Sequence, residues 1–169
     1  MTLDLSSPVD PTDHVRGTGG RRQLVVYGDF ECPYTAAAMR DIGHLFDSDA
    51  RFEVVFRHFP LRSIHPHAQA AAEAAEASDR QGRFWEMHDL LFASQRHLED
   101  ADLRHESERL GLDLTRFESD LLDPAIATRV DRDVESGTRS GVDGTPSLFI
   151  DGIRYRGPRD QASLGRVLS

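Results

Sequence analysis

One segment narrows the folds open to this chain more than any other. Residues 23–27 hold the apolar run Leu24-Val25-Val26-Tyr27, rich in β-formers, and Gly28-Asp29 ends it. Pro33 then stands where a first helical residue belongs, since its ring sets the helical φ and its missing N–H costs nothing there. Thr35, Met39, Ile42 and Phe46 follow at helical spacing, which predicts a helix over residues 33–46. Residues 51–59 fill with Val54, Val55 and Phe56 and stop at Pro60, as a second strand does. A strand, a helix and a strand on short links make a parallel βαβ unit.

From residue 66 to about residue 141 the pattern is helical only. An alanine-rich stretch over 68–77 is followed by helices over 83–94, 102–110, 115–122 and 125–136, punctuated by Gly82, Gly111, Asp123-Pro124 and Gly137. Strands over 147–150 and 153–156 then flank Asp151-Gly152, a dipeptide suited to a two-residue hairpin turn with positive φ at both positions. A closing helix is expected over 158–168. The chain therefore reads as α/β. Residues 21–64 and 141–169 form one domain and residues 65–140 an inserted helical domain. Residues 1–20, rich in Ser, Pro, Asp and Gly without an apolar period, read as a loose N-terminal arm.

Composition limits the chemistry. One cysteine among 169 residues excludes an internal disulfide, a cysteine-rich zinc site and an all-cysteine iron–sulfur cluster. Twenty basic residues, all arginine, against 29 acidic ones give a net charge of −9. Such a surface disfavours nonspecific contact with nucleic acid or anionic membrane, so neither is expected as a partner. Neither a basic-then-apolar leader nor a run approaching roughly 18 apolar residues is visible, which makes the cytoplasm the expected compartment.

Cys32 draws attention by its position. A lone cysteine is commonly an inert small hydrophobe. Here it falls at the N-cap of a helix that begins at Pro33, where the dipole and free N–H groups favour thiolate over thiol. The strand–loop–helix context places it at the carboxyl edge of the sheet, where α/β proteins build their sites, and predicts an exposed, outward-pointing sulfur.

The segments Phe30-Glu31-Cys32-Pro33-Tyr34-Thr35 and Gly144-Thr145-Pro146-Ser147-Leu148-Phe149-Ile150-Asp151-Gly152, with the order βαβ, helices, ββα, resemble the DsbA-like thioredoxin-fold oxidoreductases. His65-Pro66-His67-Ala68 and residues 84–92 look familial as well, so the resemblance spans roughly residues 14–158. It implies a thioredoxin-like fold with an inserted α-helical domain and an active site exchanging disulfides with clients. It also implies that Pro146 is cis and packs beside Cys32, and that Pro33, Tyr34, Thr145 and Pro146 meet the substrate. Residues alone favour trans at Pro146, because only roughly 5% of X–Pro bonds are cis.

The departure from the family lies at Thr35, where a second active-site cysteine is expected. A dithiol enzyme resolves its mixed disulfide with that inner thiol, and a hydroxyl does not. Release from Cys32 then needs an external thiol, as in the monothiol glutaredoxins. Glutathione or another low-molecular-weight thiol is the expected co-substrate, no cofactor is expected to be bound, and protein or small-molecule thiols and disulfides are the expected partners. Thr35 sits on the inward stripe with Met39. Its hydroxyl either hydrogen-bonds the Cys32 thiolate or merely fills a hole and bonds back to its helix.

The eight histidines suggest metal chemistry only weakly, and no metal is expected. His65 reads as a cap for a helix starting at Pro66, and His88 as a buried, hydrogen-bonded side chain on an apolar face. His14, His44, His58, His97 and His105 have no partner recognisable from sequence. The acidic runs Glu99-Asp100 and 131–135 read as solvated helix faces. The leading expectation is a thiol–disulfide oxidoreductase with Cys32 as nucleophile and Thr35 beside it. A redox-inactive binding or chaperone-like module is the alternative. A kappa-like glutathione transferase, in which Thr35 or Cys32 holds a glutathione thiolate, is a third.

Overall fold

The computed structural model describes residues 4–19, 21–48 and 51–169. Strand β1 (His14–Arg16) precedes the βαβ unit, in which β2 (Arg22–Gly28) and β3 (Phe52–His58) pair in parallel across the α1 (Pro33–Ser48) crossover. Five helices follow: α2 (Ala68–Asp79), α3 (Phe84–Ala93), α4 (Asp100–Arg109), α5 (Leu114–Leu121) and α6 (Pro124–Arg139). Then come β4 (Ser147–Ile150), β5 (Ile153–Tyr155) and α7 (Gln161–Leu168). The sheet order is β1-β3-β2-β4-β5, with every pair antiparallel except β2 with β3. In the β4–β5 hairpin, Asp151 (φ 50°) and Gly152 (φ 81°) take the two positive-φ positions. The α/β architecture expected from the sequence is the one observed.

Alternate residues of β2 serve two cores. Leu24 and Val26 pack with Phe30, Ile42, Phe56 and Met87, whereas Val25 and Tyr27 pack with Leu5, Val55, Val142 and Phe149. A strand covered on both faces must be apolar throughout, which is why its sequence is a continuous run. Each side chain so buried contributes about 1.5–3 kcal/mol. In α2, Ala71, Ala74 and Ala75 are fully buried, so small side chains let this helix approach its neighbours closely.

The N-terminal stretch is not a loose arm. Within it, Leu5 is buried in the second core, the N–H groups of Asp4 and Leu5 donate to the Gly152 carbonyl, and β1 adds an edge strand antiparallel to β3. Residues 1–3 and 20 of the expected arm lie outside the described residues. The fastening is Arg57, whose side chain is 2% exposed. Its guanidinium donates to Asp13 (2.8 Å, twice), the Ser7 carbonyl (2.9 Å), the Pro8 carbonyl (3.2 Å) and the Tyr27 hydroxyl (2.9 Å). Burial favours a neutral Asp13, but the hydrogen bonds from Arg57, the Asp10 backbone N–H and the guanidinium's charge together outweigh it and hold the carboxyl below its ordinary value.

The 131–135 run needs correcting too. Asp133 is buried at 1% exposure, accepting from Arg129 (2.6 Å) and from the His58 backbone N–H (2.9 Å). It ties α6 to the end of β3 instead of facing water.

Candidate active site around Cys32

Cys32 immediately precedes α1, and its carbonyl accepts the first-turn N–H of Ala36 (3.1 Å). Its own N–H donates to the Asp29 carbonyl (3.1 Å). The side chain is not the exposed, outward-pointing group expected from its place at the sheet edge. The residue is 3% exposed, and its thiol donates to the Thr145 carbonyl at 3.5 Å. The β4 approach segment closes over it, which local sequence around Cys32 does not reveal. The Thr145–Pro146 peptide is cis, Pro146 is buried and Thr145 is half-buried with its Oγ1 unpartnered among the described residues.

Thr35 is fully buried one turn into α1. Its Oγ1 accepts from the Asp29 N–H at 3.5 Å, and no hydrogen bond joins it to Cys32 among the described residues. Its methyl packs at the end of β2. A Cβ on Gly28 would come within 2.8 Å of Thr35 Cγ2 and 2.5 Å of Phe56 Cε2, so this strand end accepts only glycine. Of the two roles open to Thr35, the hole-filling one describes its methyl. The hydroxyl serves the cysteine loop rather than the sulfur. Pro33 and Tyr34 are exposed on the rim, Tyr34 at 72%. The structure thus brings Cys32, Thr145 and Pro146 together, with Pro33 and Tyr34 beside them and Thr35 behind.

Three residues that shape this loop were not singled out from sequence. Asp29, 1% exposed, accepts from the Glu31 N–H (2.7 Å), the Leu61 N–H (2.8 Å) and His65 Nδ1 (2.8 Å). Glu31 accepts from the His67 N–H (2.8 Å). Gln95, just beyond α3, donates through Nε2 to the Phe30 carbonyl (2.9 Å) and the Cys32 carbonyl (2.8 Å). His65 is therefore no helix cap. Helix α2 begins at Ala68 with His67 as an N-cap that makes no side-chain bond, and the His65 ring is spent on Asp29. Only the position of Asp29, directly after a strand and before the cysteine, hints at this in sequence.

His88 is buried, as its apolar face predicts. Nδ1 meets Asp89 (2.8 Å), Nε2 has no partner among the described residues, and burial among aromatic rings pushes its pKa down to about 4 despite Asp89.

A family model described as thioredoxin matches residues 10–169. Among solved structures, the chain is similar to a thioredoxin-like oxidoreductase from Silicibacter pomeroyi, at TM-score 0.83 and 25% identity over 93% of this chain and 90% of that one. The thiol-disulfide exchange protein alpha-DsbA2 of Wolbachia pipientis shares the fold at TM-score 0.83 and 21% identity, covering 94% of this chain and 87% of that one. The chain belongs to the thioredoxin family and carries a single cysteine. Its curated relatives include proteins named Na(+)/H(+) antiporter NhaA 1, from Salinispora arenicola (50% identical over 169 residues, 99% of this chain) and from Mycolicibacterium gilvum (42% over 173 residues, 98% of this chain). The chain spans only 26% and 28% of the length of those two relatives.

Proposed function

We propose that this chain exchanges disulfides through Cys32 alone. The observation that carries the reading is the placement of the sole sulfur at the start of α1, 3.5 Å from the carbonyl of Thr145, with a buried threonine where a resolving thiol belongs. The Cys32 thiolate attacks one sulfur of a client disulfide, a new S–S bond forms, and the other client sulfur leaves as a thiolate. A second thiolate, from glutathione or another low-molecular-weight thiol, then attacks the client sulfur of the mixed disulfide. Cys32 departs as thiolate, and the client carries the new mixed disulfide. Two electrons pass between sulfurs with no bound cofactor. Pro33, Tyr34, Thr145 and Pro146 line the approach for a protein or small-molecule disulfide. A reducing, cytoplasmic compartment suits this cycle because it supplies the second thiol.

The test is incubation with glutathione disulfide followed by intact mass. One glutathione adduct on the parent, none on Cys32→Ser, and its removal by excess thiol are expected. A parent that stays unmodified while folded sinks the proposal.

A second reading is a binding module without turnover, favoured by the burial of Cys32 and by relatives in which a unit like this forms about a quarter of a protein named as an antiporter. Under it, Cys32→Ser retains client binding. Of the two groups open to the transferase reading, Thr35 is fully buried with its hydroxyl turned to the Asp29 N–H, which leaves Cys32 alone to hold a glutathione thiolate.

A further inference from the structure

Three side chains from three elements converge on one carboxylate oxygen. His14 on β1, His58 at the end of β3 and Glu76 on α2 are all buried, and both imidazoles place Nε2 on Glu76 Oε1, at 2.6 and 2.7 Å. One ligand-type atom from each lies within 4.8 Å of the others. A cleft of about 400 Å³, lined by His14, Glu76, Asp79 and Arg129 among others, opens beside them.

Charge balance marks the junction as a cation site. Arg57 is committed to Asp13 and Arg129 to Asp133, while Arg129 Nε stays 4.0 Å from Glu76 Oε2. The nearest groups to Glu76 among the described residues are therefore the two imidazoles. A buried carboxylate needs a compensating positive charge. A proton on an imidazole supplies it, and so does a metal ion.

The ring geometry favours the metal at His14. Its Nδ1 faces Asp79 Oδ1 at 3.7 Å, beyond hydrogen-bond reach but close enough for the carboxylate's charge to favour a proton on Nδ1 and leave Nε2 for a metal. Two imidazole nitrogens and one carboxylate suit Zn²⁺, with a fourth position left for water from the cleft.

We propose that His14, His58 and Glu76 bind a divalent transition-metal ion, Zn²⁺ fitting best, at a site separate from Cys32. Tetrahedral ligands at zinc distances stand about 3.3 Å apart, so the two contacts open slightly on binding. The metal displaces the Nε2 proton of a charged His14, which is released, and His58 moves its proton from Nε2 to Nδ1. The ion joins β1, β3 and α2, so it fastens the N-terminal strand.

The full chain, dialysed against chelator, is titrated with Zn²⁺ by calorimetry and with Co²⁺ by visible absorption. One equivalent bound, visible Co²⁺ bands, buffer-dependent heat from the released proton and a Tm that rises with metal concentration are expected. His14→Phe, which keeps a ring stacked on Phe84, and Glu76→Gln lower the affinity by about 100-fold or more, and Asp79→Asn on the cleft rim by about 10-fold. Cys32→Ser leaves the metal affinity unchanged. The proposal is overturned if the folded parent binds no stoichiometric Zn²⁺, which leaves a proton at the junction. Unchanged affinity in folded His14→Phe or Asp79→Asn overturns it, and so does loss of binding in Cys32→Ser. If Glu76→Gln does not fold, the other two variants decide.

Discussion

The Cys32 thiol and the Thr145 carbonyl oxygen, 113 residues apart in sequence, stand 3.5 Å apart across the mouth of the candidate site. With the residue only 3% exposed, access rather than intrinsic reactivity governs its chemistry. A methylthiolating reagent is expected to modify the native protein readily and a fluorescein maleimide much more slowly, the difference vanishing in denaturant. Equal native rates for both reagents contradict this burial.

Thr35 is the position where sequence and family part. Thr35→Val keeps the shape beside Gly28 but leaves the Asp29 N–H without its acceptor, at a cost of about 1 kcal/mol in urea unfolding. Thr35→Cys places a second sulfur on the inner face of α1 and is expected to create insulin-reductase activity that the parent lacks. A folded Thr35→Cys without that gain points to the binding-module reading.

Asp29 spends its carboxylate on two backbone N–H groups and the His65 ring. Asp29→Ala leaves all three without their acceptor, so a loss of about 2–4 kcal/mol is expected. Because the same loop carries Cys32, its alkylation should also become faster under native conditions. Stability reduced with the alkylation rate unchanged separates a structural role from control of the loop.

Two-sided burial appears in sequence as a continuous apolar run, and a helix stripe as a period. The β2–α1–β3 unit and the inward direction of Thr35 were therefore legible from residues 23–59 alone. The burial of Cys32 was not, because it depends on Thr145 folding back from the far end of the chain. The fastening of the N-terminal stretch was hidden for the same reason: Asp13 looks like a turn residue until Arg57, 44 positions on, arrives buried beside it. Asp133 reads as a solvent-facing charge on its helix, and Glu76 passes unmarked within an alanine-rich stretch. They are buried because His14, His58 and Arg129 meet them, and such partnerships leave no periodic trace.

Removing one member of the Arg57–Asp13 pair strands the other. Asp13→Ala leaves a buried guanidinium without its carboxylate and is expected to cost about 3–5 kcal/mol, with the 4–16 stretch becoming the first site of limited proteolysis. Cleavage that begins elsewhere, at parental stability, shows that the arm is held by its apolar contacts instead.

His88 sets a pH dependence whose sign follows from its burial. The unfolded imidazole takes a proton near pH 6.5, whereas in the fold burial holds the pKa down to about 4. Between those values the unfolded chain binds the extra proton, so stability rises with pH there. The contribution is fully present above pH 6.5 and is lost as pH falls toward 4, amounting to about 3 kcal/mol at most. His88→Phe keeps an aromatic ring against Phe30, Phe56 and Phe92 but has nothing to titrate. Urea unfolding at pH 7.5 and pH 4.5 should show the parent losing roughly 2–3 kcal/mol more than the variant. Equal losses would mean that His88 is protonated within the fold, and the aromatic cage around it would then have to hold a charge.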